Sequence, residues 1–161
     1  MQNPLNKPLI IDYKIALAKV AKYCAYQERC HYDVEKKLRE LNVDEEIQDE
    51  IISDLIQQNF LNEERYAIAY VQGKVNIKKW GRKKIKYELH KKYISQYCIN
   101  KALSMIDEDD YLVNLQSIIE KKRSTINGKS DYDKRTKLFR YLHSKGYETE
   151  IINNNIDEYG S

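Results

Sequence analysis

The sequence is poor in the residues that make tight turns and covalent cross-links. Its 161 residues include only 5 glycines and 2 prolines, which is too few for the many turns of a β-rich fold. The cysteines, Cys24, Cys30 and Cys98, are odd in number and lack the C-x-x-C spacing of a metal-binding pair. We therefore expect small buried thiols, no metal and no cofactor. The composition predicts an all-α protein.

Long apolar runs and catalytic motifs are also missing. No segment approaches the roughly 18 uninterrupted apolar residues of a membrane-spanning helix. Residues 1–9 lack the charged lead and the apolar run of a signal peptide. We expect a cytosolic protein with no membrane contact. The sequence has no glycine-rich phosphate loop, no H-E-x-x-H and no G-x-S-x-G, so an enzyme is the weak hypothesis.

In place of such motifs the sequence has an internal repeat. Two apolar residues four apart are followed five positions later by a third and then by a fresh apolar run, which is typical of helix, short turn, helix. The pattern recurs at an offset of about 51 to 53 positions. The three copies are marked by Val34, Leu38, Val43 and Ile47, by Ile85, Leu89, Ile94 and Cys98, and by Leu138, Leu142, Tyr147 and Ile151.

Each pair of helices is preceded by a further helix, so the repeat unit has three. We predict three tandem three-helix modules over residues 12–59, 60–106 and 107–159, stacked into an elongated, curved rod because each buries too little surface alone. No long heptad seam is present, which favours a monomer. The predicted helix caps are Asp44, Asn62, Ser95 and Asp107, and Gly146 is a predicted helix end.

Positive charge is concentrated in the middle module. The net charge is only +3, so affinity for nucleic acid has to come from local clusters. Residues 74–92 contain eight lysines, one arginine and the single acid Glu88, whereas the matching part of the first module mixes both signs. The fold therefore does not require this charge. A second basic region lies within residues 121–140.

One face of the predicted basic helix carries an aromatic residue between two lysines. Lys83, Tyr87 and Lys91 lie opposite the apolar Ile85 and Leu89. This arrangement fits a phosphate backbone with stacked bases, although a solvated helix face is the competing interpretation.

The only tryptophan, Trp80, lies in the basic turn of residues 77–81. A tryptophan at such a helix junction is either a packing anchor or a platform for a ligand.

Several short motifs follow one another through the middle module. Residues 60–67 read Phe-Leu-Asn-Glu-Glu-Arg-Tyr-Ala, and Tyr70-Val71, Trp80-Gly81, Lys84-Ile85 and Glu88-Leu89 follow. This series resembles the central signature of the RecX family of bacterial recombinase regulators, and the resemblance extends over residues 12–159. The chain has Lys92-Tyr93 where the family has Lys-Gly. Tyrosine tolerates a left-handed conformation poorly, so the turn geometry there stays open.

The resemblance implies a cytosolic regulator that binds the RecA nucleoprotein filament and restrains ATP hydrolysis, strand exchange and co-protease activity. It also implies weaker contact with single-stranded or double-stranded DNA. The filament-facing or DNA-facing candidates carried over onto this sequence are Lys78, Lys79, Trp80, Arg82, Lys83, Lys84, Lys86, Tyr87 and Lys91.

Two other functions fit the same charge pattern. A sequence-independent DNA-binding protein that acts without a recombinase would bind bare single strands with a steep salt dependence. A helical adaptor for an unrelated protein would keep every binding activity after reversal of Lys83, Lys84 and Lys86 to Glu.

Overall fold

A computed structural model describes residues 11–156, a range that contains nine α-helices and no strand. The predicted all-α class of tandem three-helix modules is confirmed. The helices are α1 (Tyr13–Tyr26), α2 (His31–Glu40), α3 (Glu45–Gln57), α4 (Glu63–Asn76), α5 (Arg82–Lys91), α6 (Gln96–Ser104), α7 (Glu108–Arg123), α8 (Asp131–Ser144) and α9 (Thr149–Ile156). The expectation for residues 1–9 and the end of the third predicted module, residues 157–159, lie outside the described residues.

The chain divides into two compact units, one through Tyr66 and the other from Ala67 onward. The division falls inside α4. The predicted module boundaries, after residues 59 and 106, lie in the turns before α4 and α7. These boundaries themselves stay a prediction.

The first unit is built from α1, α2 and α3, which pack on one another around one apolar core. Its fully buried side chains include Val34 and Leu38, the positions that the repeat predicted as apolar contacts. At the end of the unit, the guanidinium of Arg65 pairs with Glu28 and donates to the carbonyl of Asn59 at 3.0 Å. The core consists of Ala16, Val20, Cys24, Val34, Leu38, Val43, Ile51, Leu55 and Leu61.

The second unit contains the rest of α4 and the helices α5 to α9. The middle helices bury the apolar residues Val71, Ile85, Leu89, Cys98 and Ile99. The last three helices enclose a core that is centred on two tyrosines as well as aliphatic side chains. That core consists of Tyr111, Leu115, Ile118, Ile119, Leu138, Leu142, Tyr147, Ile152 and Ile156.

The helix starts follow the predicted caps. The side chains of Asp44, Ser95 and Asp107 accept hydrogen bonds from backbone N–H groups in the first turns of α3, α6 and α7, at 3.1, 3.3 and 3.0 Å. The side chain of Asn62 accepts from the backbone N–H of Arg65 at 2.9 Å at the start of α4. These bonds satisfy N–H groups that have no partner within the helix, so all four predicted caps are confirmed.

The second helix of every module ends in the same left-handed turn. Asn42, Tyr93 and Gly146 occupy equivalent places with φ of 54°, 58° and 96°. In each turn the next residue donates its N–H to a carbonyl five positions earlier, as Ile94 does to Leu89 at 3.2 Å. The turn at Tyr93, which the sequence left open, therefore keeps the geometry of the others despite its unfavourable residue.

The three cysteines are free thiols and are buried, as predicted. Within residues 11–156 there is no group of three side chains that could hold a metal ion. The same range contains no helix that is both long enough and apolar enough to cross a membrane.

Candidate functional site

The basic helix α5 has one buried side and one solvent-facing side. Ile85 and Leu89 are fully buried. Lys83, Lys86 and Lys91 are exposed, and the ring of Tyr87 is 62% exposed. The Lys91 ammonium lies 5.4 Å from the centre of that ring. Because these outward side chains do not contribute to the core, the helix could form without their charge.

The start of α5 rests on the backbone of the turn between α8 and α9. The N–H of Gly81 donates to the carbonyl of Lys145 at 2.8 Å, and the N–H of Lys83 donates to the carbonyl of Gly146 at 2.9 Å. A Cβ on Gly81 would overlap the backbone of Gly146 and Tyr147. The first turn of α5, which has no side-chain cap of its own, is capped by this contact instead.

Arg82 lies at the centre of a polar network beside this contact. Its guanidinium pairs with Glu148 at 3.2 Å and with Glu108, and it lies 4.0 Å above the ring of Tyr111. The hydroxyl of Tyr111 accepts from the backbone N–H of Arg82 at 3.0 Å and donates to Glu148 at 2.8 Å. The network joins α5 to α7 and to the turn before α9.

Burial and hydrogen bonding act on the pKa values of this network. Partial burial acts to lower the pKa of Arg82, but the hydrogen bonds that its guanidinium donates to Glu108 and Glu148 outweigh burial and raise that pKa. Burial is the main cause that raises the pKa of Tyr111, against the opposing hydrogen bond from the backbone of Arg82. Arg82 therefore stays charged and Tyr111 stays neutral at physiological pH.

Trp80 and the lysines next to it are held by contacts within the second unit. The ammonium groups of Lys74 and Lys84 lie 4.7 and 4.4 Å from the centre of the Trp80 ring. Lys79 has a left-handed backbone with φ of 53°, and its ammonium donates to Ser117 at 3.0 Å. The hydroxyl of Tyr147 donates to the carbonyl of Lys79 at 2.8 Å.

The structure thus separates the candidate residues into two groups. Lys79, Trp80, Arg82 and Lys84 make contacts that organise the second unit. The partners of these residues, Glu108, Tyr111, Gly146 and Glu148, were not predicted, because they lie far along the chain and no local pattern links them to the basic turn. The outward group consists of Lys78, Lys83, Lys86, Tyr87 and Lys91. The assignment of either group to a partner stays a prediction.

A second basic feature is an open groove of 440 Å³, which we call the lysine groove. It lies between the turn after α4 and the surfaces of α7 and α8. Its basic lining residues are Lys78, Lys79, Lys121, Lys122 and Lys145, and its other lining residues are Ile77, Ile118, Thr125 and Tyr141. The two basic regions of the sequence therefore meet at one place.

The rest of the second basic region is partly engaged in local contacts. Lys137 pairs with Asp133 at 3.1 Å and donates to the carbonyl of Asn127 at 2.8 Å. A hydrogen bond from the backbone of Lys129 and the contact with Lys137 lower the pKa of the Asp133 carboxyl. These contacts fix the start of α8.

Comparison with known proteins identifies the family. Residues 62–103 match the model of the second three-helix domain of RecX, and residues 108–154 match the model of the third. The fold resembles the crystal structure of RecX from Lactobacillus salivarius with a TM-score of 0.76 and 30% sequence identity, over 91% of this chain and 95% of that one. The chain belongs to the RecX family.

Other RecX proteins agree in sequence and in fold. The regulatory protein RecX of Bacillus cereus strain B4264 is 29% identical over 143 residues, which is 89% of this chain and 53% of the relative. The relative from Bacillus cytotoxicus gives the same identity and coverage. A second RecX crystal structure has a TM-score of 0.80 at 25% identity, over 90% of this chain and 71% of that one. The chain spans about half the length of the curated relatives it matches.

The structure gives a packing role to Trp80-Gly81, one of the motifs that resemble RecX. The motif lies where α5 meets the turn at Gly146. In this chain the two residues therefore serve the packing of the second unit. Packing does not account for the positive charge of the outward lysines of α5.

Proposed function

We propose that this chain is a negative regulator of RecA recombinase that binds the RecA–DNA filament through the outward basic face of α5. In this role it restrains ATP hydrolysis, strand exchange and co-protease activity without catalysing a reaction itself. Because the proposed partner is a cytoplasmic filament, the proposed place of action is the cytoplasm. Family membership supports a regulatory role in general, and the charge of α5 supports the finer statement.

The observation that carries the proposal is the exposed face of Lys83, Lys86, Tyr87 and Lys91. Exposed like charges on one helix repel one another slightly. Among the described residues, only Lys91 of this face pairs with an acid, Glu88 at 3.2 Å. A phosphate backbone or an acidic protein surface would offset that repulsion and would also guide encounter over several ångströms. The outward face is therefore better explained by a partner than by the fold.

The test should use residues that the fold does not need. Lys84 contacts the ring of Trp80, and its Cβ lies directly beside Gly146. Reversal of its charge would disturb folding as well as binding. We therefore choose the triple variant Lys83→Glu, Lys86→Glu and Lys91→Glu, which we call the face variant.

The measurement is the single-strand-dependent ATPase of a bacterial RecA as this chain is added, first below and then at equal amounts. We expect the parent chain to inhibit and the face variant to inhibit far less at the same concentration. The matched control is Lys14→Glu, Lys19→Glu and Lys22→Glu on α1, which changes the charge equally at exposed positions. This control should inhibit like the parent chain.

Two results would count against the proposal. If the parent chain left the ATPase unchanged, a role as RecA inhibitor would be rejected for that recombinase. If the face variant and the control inhibited equally well, the regulator would act through another surface. Retention of all binding by the face variant would instead favour the helical adaptor.

A further inference from the structure

The lysine groove gathers more positive charge than the contacts of its own lysines require. Lys79 donates to Ser117, and Lys122 and Lys145 lie over the ring of Tyr141, but none of the three is paired with an acid in the groove. None of the described residues that line it is acidic, although five of them are lysines. Like charges that share one concave surface repel one another, so their convergence costs stability unless an anion binds. The lining also comes from three separate stretches of chain, around Lys78, around Lys121 and at Lys145. The clustering of the lysines therefore depends on the tertiary structure and not on one basic stretch of sequence.

The groove also presents an apolar residue and an aromatic ring beside these charges. Ile77 is 78% exposed in the turn after α4, where a polar residue would be the ordinary choice. The ammonium groups of Lys122 and Lys145 lie 4.3 and 5.8 Å from the centre of the Tyr141 ring. A carboxylate-rich peptide would use only the charges. A nucleotide would use both features, its phosphate on the lysines and its base on the apolar surface.

The size of the groove selects among nucleic-acid ligands. Its 440 Å³ falls within the roughly 300–1,000 Å³ typical of small-ligand sites. An extended single strand or a free nucleotide can place one nucleotide unit inside a concave surface of this size. We propose that the lysine groove binds nucleotide phosphate, with the base against Ile77 and Tyr141.

This inference goes beyond the proposed function, because it concerns a surface apart from the outward face of α5 and needs no recombinase. The shared chemistry has two sources, a single-stranded nucleic acid or a free nucleoside triphosphate. We test both with the full chain in the absence of RecA. Fluorescence anisotropy of a labelled thymidine oligonucleotide measures binding of the strand, and displacement by ATP measures binding of the free nucleotide.

The groove variant is Lys78→Gln with Lys121→Gln, both at exposed positions. Each phosphate contact to a single strand contributes about 0.7 to the slope of log affinity against log salt. Loss of two contacts should lower the slope by about 1.4. The affinity of the parent relative to the groove variant should therefore be roughly 25-fold higher at about 0.1 M salt than at about 1 M salt. A second variant, Ile77→Ala, should weaken binding and leave the slope unchanged.

Lys14→Gln with Lys19→Gln on α1 removes the same charge and should bind like the parent chain. Binding of the oligonucleotide that is lost in the groove variant and resists ATP supports the proposal with a strand as the ligand. Displacement by ATP, also lost in the groove variant, supports it with a free nucleotide as the ligand. The proposal is overturned if the parent chain binds neither probe, or if the groove variant binds both as tightly as the parent. Since RecA is absent, these results are independent of the ATPase test.

Discussion

Arg82 shows that a basic residue in this chain can belong to the fold. Its guanidinium is held by Glu108, Glu148 and the ring of Tyr111, and its side chain is mostly buried. Lys83, the next residue, is exposed and uses only its backbone N–H in the same junction. Charge in the sequence therefore does not identify a binding residue by itself. The contacts of each basic side chain within the fold determine whether it is available to a partner.

At the residue scale, Gly81 gives the sharpest prediction about stability. A methyl group there would overlap the backbone of Gly146, which cannot move as a flexible side chain could. We expect Gly81→Ala to destabilise the second unit by about 1–3 kcal/mol, the usual cost of overpacking. The midpoint of urea unfolding, followed by the fluorescence of Trp80 in the same unit, measures the change.

Gly73→Ala is the matched control, because the same methyl group meets no atom within 4 Å in α4. Replacing a helical glycine by alanine should stabilise by about 0.5–1 kcal/mol. The two variants should therefore shift the midpoint in opposite directions. An unchanged or raised midpoint for Gly81→Ala would show that the contact of Gly81 with Gly146 does not limit stability.

Cys24 gives a prediction about pH. Burial of the thiol raises its pKa to about 11. At pH 8 the thiolate is then about a hundredfold scarcer than in an unperturbed cysteine. We expect native Cys24 to be alkylated slowly by iodoacetamide and urea to remove that protection, as measured by peptide mass spectrometry.

The sign of the shift fixes the pH profile of Cys24. A raised pKa keeps the reactive thiolate rare until pH approaches the folded value, so the native labelling rate should rise about tenfold per pH unit between pH 8 and 10. The same cysteine in urea should level off above its ordinary pKa and serves as the internal control. A native rate that levels off near pH 8.5 would contradict burial as the cause.

At the scale of one element, the left-handed turn that ends α5 has the least suitable residue among the three equivalent turns. Asn42 and Gly146 suit such a backbone, whereas Tyr93 is a bulky residue at φ of 58°. Its side chain is 80% exposed, so its replacement exposes little apolar surface. We expect Tyr93→Asn to stabilise by up to about 1 kcal/mol and to raise Tm by about 2–4 °C.

The reciprocal change Asn42→Tyr tests whether the backbone is the cause. It places tyrosine in the equivalent turn after α2, and we expect it to lower Tm by a similar amount. Thermal unfolding followed by circular dichroism measures both variants. If neither exchange changed Tm, the conformation of the turn would not be what limits stability at these positions.

The elements that sequence analysis predicted are those that depend on local patterns. The apolar spacing around Leu38, Leu89 and Leu142 needs only helical periodicity, and all three side chains are fully buried. The caps Asp44 and Asp107 need only a side chain and an N–H two or three residues away. Such signals survive whatever the tertiary structure is.

The contacts that sequence analysis missed join residues far apart. Arg82 and Glu148 are separated by 66 positions, and no local pattern marks them as a pair. The same holds for the two glycines at the start of α5 and the end of α8. The lysine groove could not be predicted for this reason, since each of its basic stretches looks like an ordinary solvated surface until the fold brings them together.

At the scale of the whole molecule, charge of opposite sign is collected in different helices. The first turn and outer side of α3 carry exposed acids, including Glu45, Glu46 and Glu50. The outward face of α5 and the lysine groove carry basic residues. The net charge of +3 does not reveal this separation of acidic and basic regions. A partner with phosphate groups would therefore be attracted to one part of the chain and repelled by another.

This segregation makes the proposed regulation sensitive to salt. If the outward face of α5 displaces counterions from the filament, the concentration of chain that half-inhibits the RecA ATPase should rise linearly with salt on a double-logarithmic plot. The face variant lacks the lysines that displace the counterions. The slope of its plot should therefore be lower, by roughly 0.7–0.9 for each lost contact. The ATPase of RecA alone at each salt concentration provides the baseline, and the α1 charge-reversal control should keep the slope of the parent chain. Equal slopes for the face variant and the parent would place the electrostatic contacts elsewhere. A slope near zero for the parent would mean that inhibition depends on apolar contacts instead of charge.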